Sequence, residues 1–241
     1  MPPDPLAPLL ALPGLAGAAE DARRAVDRLL THDSMRRHAT SVTAEAGLRC
    51  ARASAALEGY DLSLDDVRAG APSSAVGRGA LRLSIAIRRL SDTWERAPLQ
   101  ALARMHVLAA EGLAPPDEIG RPRADFTARL TSLAQAVTTT GLPAVVVAGF
   151  VHGSLLAWAP FGLADGLVAR AAARAVLVSR GLDPRAVSAP DVGCARDPEA
   201  YAAAAAAFAG GDQAPFLLLW CDAVAHGAAE GIAIGEALLR G

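Results

Sequence analysis

The residues between Pro160 and Gly166 have the types and spacing that would form an anion-binding turn between two helices. Pro160 ends the first helix because its ring removes a backbone donor and restricts the preceding residue. Gly162 and Gly166 permit the unusual backbone angles of a tight turn. Asp165 is predicted to cap the second helix by accepting its free amide hydrogens. The N-terminus of that helix would then attract a phosphate or another anion.

Residues 159–170 resemble the signature of the Fic (Fido) family, H-P-F-x-D/E-G-N-G-R-x-x-R, without a gap. The positions that agree are Pro160, Phe161, Gly166 and Arg170. The positions that differ are Ala159 for the catalytic histidine, Leu163 for the metal-binding acid, Ala164 for a glycine, Asp165 for the asparagine and Leu167 for the first arginine. The resemblance implies that a nucleotide or anion would be held by Phe161, Gly162, Asp165, Gly166 and Arg170.

A second stretch, residues 54–59, resembles the inhibitory helix of the same family, whose pattern is S/T-x-x-x-E-G/N. The matching residues are Ser54, Glu58 and Gly59. In the family this glutamate pairs with the last arginine of the signature and obstructs the γ-phosphate of the nucleotide. The resemblance therefore implies that Glu58 pairs with Arg170. A buried arginine would in any case require a carboxylate partner.

The departures from the signature all weaken standard adenylyl transfer. The family histidine is a general base, worth about 10²–10⁴ in rate, and Ala159 cannot replace it. Leu163 offers no oxygen ligand, which argues against Mg²⁺. Asp165 places a negative charge where an anion would sit. We therefore assign no catalytic residue and no metal site, and expect no standard AMP transfer.

Three functions remain open. The first is a degenerate Fido-domain protein that binds a ligand or a protein partner without transferring AMP. The second is a non-standard Fic-type transferase acting through Arg170 on a nucleotide or a phosphorylated small molecule. The third is a helical interaction or antitoxin-like module without a nucleotide site. No cofactor is certain, and ATP or another nucleotide is the class that the resemblance implies.

Composition narrows the class of protein. Of 241 residues, 52% are hydrophobic and 20% charged, and the net charge of −2 excludes the basic footprint of a nucleic-acid-binding domain. The three cysteines are widely spaced, which predicts buried thiols in a reducing, cytoplasmic environment. Residues 138–164 contain no charged side chain, but their prolines and glycines favour a buried helix over a membrane span.

Spacing of apolar residues predicts an all-α fold, in the Fic arrangement that the resemblance implies. The predicted helices cover residues 17–30, 34–57, 75–97, 98–111, 125–139, 143–157, 166–180, 198–209 and 215–239. We expect an N-terminal helical arm over 1–70, containing the inhibitory-type helix, and a core domain over 71–241. Residues 113–123 lie where the family has its flap, as a loop or short hairpin.

The remaining candidates are interpreted structurally. His152 is predicted to be a core histidine, and His106 a histidine at the surface or at a helix end, although it could face the cleft. Asp183 and Asp191 are predicted to be turn and cap residues.

Overall fold

The computed structural model describes residues 4–240, and in this range all regular secondary structure is helical. Its twelve α-helices, numbered α1 to α12 in order, are Leu15–Thr31, Ser34–Arg37, Ala39–Leu57, Leu64–Arg68, Ala75–Arg96, Pro98–Ala110, Thr127–Thr139, Ala144–Trp158, Asp165–Ser179, Pro190–Cys194, Pro198–Ala209 and Ala214–Arg240. Two 3₁₀ turns cover Ala7–Ala11 and Ala124–Phe126. The predicted all-α fold is confirmed.

Helix α9 lies at the centre of the molecule. Every residue from Gly166 to Leu177 is buried, and the helix packs against α3, α5, α6 and α8. Helix α12 packs against α1, α8, α10 and α11 on another side of the bundle. A helix that is buried all round lies in a core, so side chains at the N-terminus of α9 have their positions fixed by neighbouring helices.

The predicted helix over residues 34–57 is wrong in one respect, because it is broken at His38. His38 has φ −121° and ψ 12°, outside helical geometry, and separates α2 from α3. The short helices α4 and α10 were not predicted. Each has only five residues, too few for a periodic apolar pattern to be recognised in the sequence.

The predicted flap is an irregular loop between α6 and α7. Within the described residues its only ladder-like contact is an isolated bridge between Glu111 and Ala114. The loop is therefore not a hairpin, and its shape depends on side-chain contacts described below.

One described helix, α12, has the length and composition of a membrane span, and half of its most apolar window is buried inside the protein. Core helices of globular proteins have the same character. The uncharged stretch over residues 138–164 forms the end of α7, the 15-residue helix α8 and the turn that follows it. Helices α1 to α4 contribute to the same hydrophobic core as the later helices, and the division at residue 70 stays a prediction.

Candidate functional site

The turn between α8 and α9 holds two alanines in left-handed conformation. Ala159 follows the last residue of α8 with φ 43°, and Ala164 precedes α9 with φ 56°. Gly162 between them has φ 74°. A side chain with a Cβ costs about 1–2 kcal/mol in this conformation, so neighbouring contacts must hold the turn in place.

Asp165 does not cap α9 as predicted. It is the first residue of the helix, the N-cap position is Ala164, and no side chain caps this end. The Asp165 Oδ1 instead accepts a hydrogen bond from the Phe161 backbone N–H at 2.9 Å. Burial raises the pKa of Asp165, although the amides of Phe161 and Gly162 oppose that shift. The Asp165 carboxylate therefore bonds to the loop before α9, and the first amides of α9 are left without a side-chain cap.

Glu58 lies against the first turn of α9 at Gly166. A Cβ added to Gly166 would stand 2.0 Å from the Glu58 Oε1, so only glycine leaves room for this carboxylate. Asp165 feels the negative charge of Glu58, which contributes to its raised pKa after burial. Two carboxylates of the chain thus surround the N-terminus of α9.

Arg170 is buried, with 1% of its side chain exposed, and Glu58 is its ion-pair partner at 2.6 Å. Its Nε donates to the Ser54 hydroxyl at 2.7 Å, and its Nη2 donates to the Ser54 carbonyl at 3.1 Å. Its Nη1 donates to the Tyr201 hydroxyl at 3.3 Å. Burial opposes the charge, but Tyr201 and Glu58 together raise the pKa of Arg170. The structure therefore brings together the two residues that the sequence paired.

Tyr201 and His152 extend this network into the core. The Tyr201 hydroxyl and the His152 Nε2 are 2.8 Å apart. His152 is fully buried, as predicted, and burial together with the charge of Arg170 lowers its pKa well below the usual value. Tyr201 was missed because it lies in the alanine-rich helix α11, where no sequence pattern marks a polar contact.

The prediction that His106 is a surface or helix-end residue is wrong. His106 is 2% exposed, and its ring stacks on Phe161 with centroids 4.2 Å apart. Its Nδ1 accepts from the Gly120 N–H at 2.8 Å, so its Nε2, 3.1 Å from the Leu163 carbonyl, is the donor. A neutral His106 therefore joins the flap to the turn.

Arg123 makes the second connection between the flap and the turn. Its backbone N–H donates to the Pro160 carbonyl at 2.9 Å, and its guanidinium donates to the Ala159 carbonyl at 3.1 Å. No pattern in the sequence distinguishes this arginine from the other 22. The C-terminal end of the flap is consequently fixed beside residues 159–160.

Comparison with known proteins supports the fold. No protein-family model matches the sequence, and no curated protein is significantly similar to it. A crystal structure of a Fic family protein from Desulfovibrio desulfuricans G20 superposes with a TM-score of 0.79. The match covers 92% of this chain and 74% of that one, at 19% sequence identity. The chain has the Fic fold.

Within this Fic fold, the residues at the turn do not fit Mg²⁺ with ATP. Leu163, 37% exposed, offers no ligand atom, and no group of three or more His, Cys, Asp or Glu side chains among residues 4–240 could hold a metal ion. Glu58 and Asp165 both lie next to the N-terminus of α9. Gly59 follows the C-cap residue of α3 and has the left-handed φ of 85°.

The prediction that Asp191 is a turn or cap residue is also wrong. Asp191 is buried in α10, and its Oδ2 lies 3.9 Å from the Arg174 Nη1. Asp183 does organise a turn, because its carboxylate accepts from the amides of Val187 and Ser188.

The three cysteines are buried free thiols, as predicted, and burial raises the pKa of Cys50 to about 12.

Proposed function

We propose that this chain is a Fido-fold protein that does not transfer AMP and acts instead by binding a ligand or a protein partner. The observation that carries the proposal is the arrangement of Glu58 and Asp165 at the N-terminus of α9. Both carboxylates lie beside the helix end where a nucleotide phosphate would need positive potential, Glu58 against Gly166 and Asp165 as the first residue of the helix. A phosphate would be repelled there unless both side chains moved.

The groups that chemistry would need are also replaced. Ala159 has no proton acceptor in its side chain, and its carbonyl accepts from Arg123. His106 contacts the turn, but both of its ring nitrogens form hydrogen bonds with backbone groups. His152 has its Nε2 at Tyr201 and is fully buried. The His152 Nδ1 has no hydrogen-bond partner among the described residues, but full burial keeps it away from a target hydroxyl, so none of these side chains can act as the base.

The contacts of Arg170 do not favour a non-standard transferase. Its guanidinium is satisfied by Ser54, Glu58 and Tyr201, and a phosphate would have to displace Glu58 to reach it. The Fic fold itself favours a Fido-domain protein over a helical module of unrelated architecture.

The test is a transfer assay with the full chain. Purified protein is incubated with α-labelled ATP, Mg²⁺ or Mn²⁺ and a cell lysate, and label in protein bands is measured. We expect no label from the wild type and none from A159H, because the metal ligand and first arginine are also missing. Transfer by the wild type that is lost in R170A would overturn the proposal.

A further inference from the structure

A groove of about 990 Å³ runs between α7, α8 and the segment before α1, outside the turn that joins α8 to α9. Its floor contains the half-buried rings of Phe150 and Trp158 on α8. Leu6 and Leu133 contribute further apolar surface. Cavities that hold small molecules commonly enclose 300–1,000 Å³ and are mostly apolar with a few polar groups. The groove has this size and character.

Helix α7 supplies the polar side of the groove. Arg129, Ser132 and Thr139 line it from one face of the helix. Among the 13 residues of α7 only Leu130, Leu133 and Val137 are buried, so the helix leaves most of its surface available.

Arg129 gives one end of the groove a positive charge. It forms no ion pair with any residue in the described part of the chain, and its guanidinium lies 5.6 Å from the centroid of the Phe126 ring. Arg123 lies on the same ring at 4.7 Å, and its guanidinium contacts the Trp158 carbonyl at 3.4 Å. The Phe126 ring and Arg123 therefore connect Arg129 to the Trp158 end of α8, and Phe150 lies two turns back along that helix, about 12 Å away.

We infer that this groove binds an amphipathic small molecule with an anionic head group and an apolar chain. The head group lies at Arg129, and the chain extends over Trp158 and Phe150. Charge complementarity selects the anion, since Arg129 is the only charged side chain among the described residues that line the groove. Burial of the chain against two aromatic rings supplies most of the affinity. The inference goes beyond the function proposed above, because the groove lies outside the turn and requires no phosphate there.

The chain contains a convenient reporter. Of its three tryptophans, Trp94 and Trp220 are buried at 4% and 0% exposure, and Trp158 alone is half-buried. A brominated dodecanoate, added below its micelle concentration to the full-length protein, is expected to quench tryptophan fluorescence in a saturable way. The signal should be lost in W158F, which keeps the fold because the side chain is partly exposed.

Two comparisons test the head group and the chain. R129Q is expected to weaken dodecanoate binding about tenfold, as loss of a charge-assisted contact does. R36Q, at an exposed arginine that forms no ion pair with the described residues, should leave binding unchanged. Dodecyltrimethylammonium should bind about tenfold more weakly than dodecanoate, and acetate should not compete. F150A should also weaken binding.

The inference is overturned if quenching does not saturate, if it persists in W158F, or if R129Q and R36Q bind dodecanoate equally well. Equal affinity for the anionic and the cationic amphiphile would likewise overturn it. AMP transfer is measured separately, so a failure here is distinguishable from a failure of the proposed function.

Discussion

Arg170 and Arg174 lie one turn apart on α9, and both are buried, yet their surroundings differ. Arg170 has a carboxylate at 2.6 Å and hydrogen bonds to Ser54 and Tyr201. Arg174 has its carboxylate, that of Asp191, at 3.9 Å and one hydrogen bond to Ser84. The Arg174 Nη2 and the Asp191 Oδ1 have no hydrogen-bond partner among the described residues.

The difference shows how the two arginines contribute. Arg170 lies beside Glu58, whose side chain is 29% exposed, so its network reaches from the core to the candidate site. Arg174 and Asp191 are 5% and 3% exposed, and their interaction is confined to the core. We conclude that the Arg170 network fixes the shape of the site, whereas the Arg174 pair balances charge within the bundle.

The largest loss of stability is expected when the buried Arg174–Asp191 pair is broken. D191A leaves Arg174 buried without its ion-pair partner and should lower the free energy of unfolding by about 3–5 kcal/mol. The double variant R174M/D191L removes both charges and should recover most of that loss. Urea denaturation measures both. D222A, which breaks an exposed pair with Arg196, is the control and should cost about 0–1 kcal/mol.

A D191A protein as stable as the wild type would show that Arg174 obtains its counter-charge elsewhere, and the contrast between the two arginines would fail.

A smaller loss of stability is expected when the Glu58–Arg170 pair at the candidate site is broken. E58A removes the carboxylate of Arg170 but leaves its bonds to Ser54 and Tyr201, and water can reach the vacated space because Glu58 is partly exposed. The loss should be about 1.5–3 kcal/mol, the usual range for a hydrogen bond to a charged group, measured by urea denaturation. E111A, which removes the exposed carboxylate of an ion pair with the half-buried Arg82, serves as its control.

If E58A costs no more than E111A, the Glu58–Arg170 contact does not hold the site together.

The smallest expected effect is on the pH dependence of stability, and it comes from His106, which joins the flap to the turn. Burial lowers the pKa of His106, so the folded state favours the neutral ring more strongly than the unfolded chain does. The stability that the neutral His106 ring contributes is therefore present above the unfolded pKa of about 6.5 and is lost as the pH falls below it. H106Q, whose amide can replace both contacts, should lose less stability between pH 7.5 and 5.5, by about 3–5 °C in Tm for each pKa unit.

His152 has the same direction of shift and is present in both proteins, so it cancels in this comparison. Parallel Tm profiles for the wild type and H106Q would exclude a role of His106 in the pH dependence.

The sequence predicted much of the fold because helix boundaries are local. Ser74 caps α5 by accepting a hydrogen bond from the Gly77 amide, and Pro160 with Gly162 marks the turn between α8 and α9. Such signals depend on only a few neighbouring residues. The pairing of Glu58 with Arg170, separated by 112 residues, was accessible only because both lie in patterns that resemble known motifs.

Other site residues could not be predicted. His106, Arg123 and Tyr201 act through contacts with backbone groups or with distant helices, and no motif surrounds them. Asp165 was assigned to the correct turn but to the wrong acceptor role. Its carboxylate can bond either to the helix that follows or to the loop that precedes, and only the left-handed Ala164 decides between them.

The most direct test of the account is calorimetric titration of the full-length protein with ATP and Mg²⁺, in the wild type and in E58A/D165N. The account predicts no binding by the wild type up to about 1 mM, because Glu58 and Asp165 occupy the approach to α9. It predicts that ATP affinity increases at least about tenfold in the folded double variant. Micromolar binding by the wild type, unchanged in E58A/D165N, would contradict it.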